Sequence, residues 1–157
     1  MDSSWISVVD TAVKIGLGAM ISAVSGYLVL KKKQSHDEQK EAREQFYKLQ
    51  EEKKSKYVEL LVQSQDLIQS HLFSSCTPDS DSYKNYLRAF NNVQIISTDE
   101  VRLVAFNLVT DVQGFVFLNK SQQEKQLVDG MVKSAREKVS IFQKFAQEEV
   151  TKRYTKT

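Results

Sequence analysis

One proline and five glycines are all that this 157-residue chain offers for tight turns. A β-sandwich or barrel needs a turn every few residues, so the shortage favours long helices with few connections. A single cysteine, Cys76, excludes an intrachain disulfide and a cysteine cage for a metal. The two histidines, His36 and His71, stand far apart on what reads as one helix. The loop between His71 and Cys76 leaves room for these two to pair, but no third group stands at a spacing that would orient them as nucleophile and base. No phosphate-binding glycine loop, zinc helix motif or Gly-x-Ser-x-Gly elbow occurs. Neither sign of charge dominates, 22 basic residues against 20 acidic, and the net +2 is too small to imply nucleic acid. These absences lead to the expectation of a protein that is not an enzyme, with no metal, no cofactor and no DNA partner.

What the chain does have is unevenly distributed. Residues 1–30 hold one basic residue, Lys14, and two acidic ones, Asp2 and Asp10. The sixteen residues Ile15 to Leu30 carry no formal charge. A bilayer core needs ~20, so a span is expected to begin near Thr11 or Ala12, with Lys14 snorkelling to the headgroups. Trp5 and Tyr27 stand near opposite ends, where interfacial aromatics belong, and Lys31, Lys32 and Lys33 form a stop. The excess of Lys and Arg after the span places the remainder in the cytoplasm and the amino terminus outside. A cleaved signal peptide fits less well, because no basic region precedes the apolar stretch. Gly18, Ser22 and Gly26 form an i, i+4 row of small residues, suited to close packing of membrane helices.

Beyond the lysines no Gly or Pro interrupts the chain until the loop Ser74–Ser82. Apolar residues from Ala42 to Ile68 recur at three-to-four spacing, the mark of a helix with one buried face. The loop contains Pro78, and Asp81 or Ser82 can cap the next helix, about Tyr83 to Ile96. Ser97 and Glu100 fit a capping box for a third helix carrying Val101, Ala105, Leu108, Val112 and Phe115. A fourth helix is expected from about Gln122 to Arg153, with a stripe of Val128, Met131, Ala135, Val139, Phe142, Phe145 and Val150. Val93–Ile96 and Phe115–Leu118 are the two stretches that can instead form short strands. The expected fold is therefore all-α, a single amino-terminal transmembrane helix (1–33) continuing into a small cytosolic helical bundle (34–157). A domain of that size buries a limited core, and oligomerisation would support it.

Charge separates the parts of the bundle. Residues 75–119 hold three basic and five acidic residues; residues 120–157 hold nine basic and five acidic. Lys120, Lys125, Lys133, Arg136, Lys138 and Lys144 lie along the last helix and its approach, where several can face a phosphate-bearing ligand or anionic lipid. Arg88, Asn91, Asn92 and Arg102 gather around the junction of the second and third helices, and a helix N-terminus there favours anions.

The stretch Tyr83-Lys84-Asn85-Tyr86-Leu87-Arg88-Ala89-Phe90-Asn91-Asn92-Val93, running on to Val101, is similar to a pattern in small bacterial membrane-anchored proteins. The order of parts over the whole chain resembles the membrane-anchored cyclic-oligoadenylate receptors of type III CRISPR defence. That resemblance implies a non-enzymatic sensor in the bacterial inner membrane that binds a cyclic oligoadenylate as a homo-oligomer and signals to its membrane helices. One cation per subunit of a symmetric oligomer can surround a ring of phosphates, and Arg88, Asn92, Arg102 and Lys120 are the candidate contacts. A membrane-tethered helical adaptor for a protein partner and a holin-like pore-former are the alternatives.

Overall fold

The computed structural model describes residues 3–155, with side chains from residue 25 onward. Four α-helices follow one another: α1 (Ser3–Ser70), α2 (Asp81–Ile96), α3 (Asp99–Val116) and α4 (Lys125–Val150), with a short 3-10 turn at Lys120–Gln122 before α4. The alternative of strands at Val93–Ile96 and Phe115–Leu118 is excluded: the first ends α2 and the second ends α3. The chain divides into two units after Gln45, in the middle of α1.

Along the first unit, the described side chains 25–45 are exposed. They are linked only along the helix, as in the Lys40–Glu44 ion pair and the Ser35–Gln39 hydrogen bond. Among the described residues, no helix is long and apolar enough to cross a membrane. That overturns the expected single transmembrane helix, and the physical reason lies in its length. Sixteen uncharged residues rise about 24 Å as an α-helix, less than a hydrocarbon core of ~30 Å, and starting the span at Thr11 or Ala12 draws the charged Lys14 into it. The helix runs without a break through Lys31, Lys32 and Lys33 into a charged segment. Placement in the inner membrane with the amino terminus outside loses its support with the span. Of the proposed packing row, Gly18 and Ser22 lie outside the residues whose side chains are described, and a Cβ at Gly26 would meet nothing within 4 Å.

The second unit is an antiparallel four-helix bundle made from the carboxyl-terminal part of α1 with α2, α3 and α4. Each neighbouring pair runs in opposite directions. Tyr57 of α1 meets Phe142 of α4, their rings 5.9 Å apart and edge to face, and Ser64 of α1 meets Tyr86 of α2. Gln94 of α2 donates to the Arg102 carbonyl of α3 at 3.0 Å, and Ser134 of α4 donates to Asp111 of α3 at 2.6 Å. Buried stripes follow the helical period: Val101, Ala105, Leu108, Val112 and Phe115 on α3, and Ala135, Val139, Phe142 and Ala146 on α4. Fully buried Ala89, Ala105 and Ala135 let the backbones approach, while Leu60, Leu108, Phe115 and Phe142 fill the space between. Large apolar side chains of this kind stabilise by roughly 1.5–3 kcal/mol each when removed from water.

Two caps differ from expectation. Ser80, rather than Asp81 or Ser82, starts α2, accepting from the Tyr83 amide at 3.4 Å. The turn that closes with Ser80 N–H on the Thr77 carbonyl leaves Ser80 extended, as an N-cap must be. At the other corner, Ser97 ends α2 by donating its N–H to Val93, so no Ser97–Glu100 capping box forms. Thr98 becomes the N-cap of α3, but its side chain makes no bond to its own helix. That hydroxyl is engaged elsewhere, with consequences for the site.

Candidate functional site

The bundle has two ends, and each gathers charge. At one end the stripe of α4 continues from Phe142 and Ala146 to Glu149, so the helical period carries a carboxylate into the core. Glu149 is 3% exposed. It pairs with Lys53 of α1, accepts from the Tyr57 hydroxyl at 2.9 Å, and accepts from the Thr98 hydroxyl at 3.1 Å. Its backbone carbonyl accepts from Gln50 at 3.2 Å. Burial by itself would push the Glu149 carboxyl up, but the Lys53 ammonium and the Tyr57 and Thr98 hydroxyls outweigh it and hold the carboxyl below its ordinary value. Burial, reinforced by the neighbouring carboxylate, pushes the Tyr57 phenol up. Gln50 Oε1 and Ser97 Oγ are the buried oxygens here with no partner among the described residues. The carboxylate thus meets three donors, two from α1 and one from the α2–α3 corner.

At the opposite end, the α1–α2 loop and the α3–α4 connection border a groove of about 560 Å³. Leu72, Val128 and Val132 give it an apolar floor, each partly buried against the core. Phe73 stands at its edge, and Lys125, Arg136, Asp129, Ser121 and Gln123 supply polar groups. Lys125 and Arg136 are exposed and make no ion pair among the described residues. Arg136 also borders a second groove of about 420 Å³ along the α1–α4 seam, with Gln65, Asp66 and Gln69. Apolar floor, two cations and several hydrogen-bonding side chains make a surface complementary to an amphipathic anion.

Lys120 borders this groove, but its ammonium is engaged by backbone carbonyls. Its ammonium donates to the Phe115 carbonyl at 2.7 Å and the Leu118 carbonyl at 3.3 Å, and lies 4.4 Å from the centre of the Phe115 ring. It therefore caps the carboxyl end of α3, where a cation complements the helix dipole. Burial pushes its pKa down. The other three expected contacts do not border the groove. Arg88 is exposed on α2 and donates to Asn85 at 3.1 Å. Asn92 is half-buried one turn further on. Arg102 pairs with Asp99 at 3.0 Å within the first turn of α3.

Two features lie outside the sequence expectations. Glu149 sits seven residues after Phe142, on the buried stripe, and that spacing is the signal that marks it. Phe73 follows directly on the helical pattern of α1, and only the stop at Ser70 separates it from that pattern. Among the described residues, no group of three His, Cys, Asp or Glu side chains is placed to hold a metal ion. No family model matches the chain, and no curated protein or solved structure is similar to it.

Proposed function

We propose that the bundle is a non-enzymatic binding module for a phosphate-bearing ligand, held in the groove between the α1–α2 loop and α4. The observation that carries this is the pair Lys125 and Arg136, two exposed cations with no ion pair among the described residues, at the border of an apolar floor. An anion neutralises both charges, and Arg offers a planar fork matched to phosphate oxygens. Leu72, Val128 and Val132 contact the apolar part of the ligand. A cyclic oligoadenylate, the ligand implied by the resemblance, has phosphates and flat apolar faces in one molecule, and a symmetric ring engages one groove from each of several copies.

The test is calorimetric titration of the full chain with inorganic tripolyphosphate and with cyclic tetra-adenylate, at low and moderate salt. Binding that weakens with salt, and that Lys125→Ala with Arg136→Ala weakens by about tenfold or more, supports the reading. Unchanged affinity in that double variant, or no binding of either compound, refutes it.

A second reading, a helical adaptor for a protein partner, is favoured by Ile95, Leu103 and Phe106. These apolar side chains of α2 and α3 remain 85%, 62% and 57% exposed. Under this reading Leu103→Asp with Phe106→Asp abolishes co-purification of a partner while leaving tripolyphosphate binding intact.

A further inference from the structure

Phe73 is 94% exposed, more than any other large apolar side chain described. Exposed aromatics usually sit on mobile segments or at contacts; Phe73 sits on a fastened one. Before it, the His71 amide bonds the Leu67 carbonyl at 3.2 Å and the His71 ring nitrogen Nδ1 lies 3.0 Å from that carbonyl. Leu72, immediately preceding, packs against the core. After it, the Ser75 hydroxyl donates to the Leu118 carbonyl and the Cys76 amide to the Val116 carbonyl, both at 2.7 Å. The loop is thus tied to α1 on one side and to the end of α3 on the other. Its ring stands in solvent at the edge of the groove that Lys125 and Arg136 also border.

We infer that Phe73 is a stacking platform for a nucleobase, so that the groove takes nucleotides rather than bare phosphates; this rests on the phosphate-binding reading above. A base has an apolar face that gains from covering an exposed aromatic ring, and such stacking tolerates any base identity. A ring presented on a fixed backbone loses little freedom on binding, so more of the stacking energy appears as affinity. The phosphates of the same ligand lie toward Lys125 and Arg136, and Ser121 and Gln123 are at hand for the sugar or base edge.

The experiment titrates tripolyphosphate, ATP and cyclic tetra-adenylate into the full chain as wild type, Phe73→Ala and Phe73→Trp. The expected result is that Phe73→Ala weakens both nucleotides by about five- to a hundredfold, the range of a lost base–aromatic stack. Tripolyphosphate affinity stays within about twofold of wild type, because it has no base to stack. Phe73→Trp retains nucleotide affinity. Thermal unfolding of Phe73→Ala matches wild type, since the ring touches little of the core. The inference is overturned if Phe73→Ala leaves nucleotide affinity unchanged or weakens tripolyphosphate equally. Tripolyphosphate binding as tightly as the nucleotides overturns it too, while the phosphate-binding reading survives. Failure of all three compounds to bind wild type overturns both.

Discussion

The two ends of the bundle treat charge in opposite ways. At the Glu149 end a carboxylate is drawn inside and met by Lys53, Tyr57 and Thr98. At the groove end Lys125 and Arg136 are left in solvent beside apolar residues that are only partly covered. A buried pair is no evidence of surplus stability, because desolvating both ions costs about what their attraction returns. What such a pair does is fix geometry: Glu149 accepts bonds only when α1, the α2–α3 corner and α4 are in one register. The lesson of the contrast is that one end holds the helices in place and the other is free to meet something else.

The largest effect is expected from breaking the closed end. Glu149→Ala leaves the Lys53 ammonium, which is only 13% exposed, without its partner and orphans the Tyr57 and Thr98 hydroxyls. Removing one member of a buried pair costs about 3–5 kcal/mol. Urea unfolding of the full chain should show a drop of that size. A loss under about 1 kcal/mol would mean that the cluster is loosely hydrated and that the two ends do not differ in kind.

The same end should also set the response to acid. The Glu149 carboxyl is held below its ordinary value of 4.5. A lowered folded pKa contributes stability that is complete above the ordinary carboxylate pKa and disappears as pH falls through the folded one. Wild type is therefore expected to lose stability relative to Glu149→Gln below about pH 4.5, with a constant difference at neutral pH. Parallel stability curves for the two proteins between pH 2 and pH 7 would contradict this assignment.

Much of the bundle could be read from periodicity alone, and the site could not. The stripes on α3 and α4 are visible because each buried position recurs at three or four residues, and the lack of Gly and Pro beyond Lys33 marks the later part of α1. Periodicity reports which face is buried but not which neighbour covers it. Arg88, Asn92 and Arg102 look like a cluster along the chain, yet Arg88 and Arg102 bond to residues of their own helices. Lys120 reads as a free cation in sequence, and only the end of α3 in space shows that carbonyls occupy it. The apolar run before Lys31 was misleading for a related reason. Absence of charge over sixteen residues resembles a span, but membrane crossing depends on length, and between Lys14 and Lys31 the uncharged run falls short of it.

A smaller effect of opposite sign is expected at the groove end. Both glycines of the bundle, Gly114 and Gly130, belong to the helix turns near it, and neither has positive φ. Glycine inside a helix costs about 0.5–1 kcal/mol relative to alanine. A Cβ at Gly130 meets nothing within 4 Å, and one at Gly114 makes an ordinary 3.6 Å contact with Met131. Gly130→Ala should therefore raise the melting temperature by a few degrees. A fall in stability would show that this turn of α4 is not helical in solution and that the groove has a different border.

The smallest effect is the most informative about the contrast. If Lys125 and Arg136 are not needed for folding, Lys125→Ala with Arg136→Ala should change unfolding stability by no more than about 0.5 kcal/mol, the usual range for surface changes. The comparison with Glu149→Ala is direct, since each experiment removes charge from one end. Lys120→Ala provides the internal control at the groove end: its ammonium is fixed by the Phe115 and Leu118 carbonyls, so its loss should cost stability where the other two do not. A double variant that destabilises as much as Lys120→Ala would make Lys125 and Arg136 structural residues. Their charges would then be committed to the fold, and the groove would have no free cation with which to hold a phosphate.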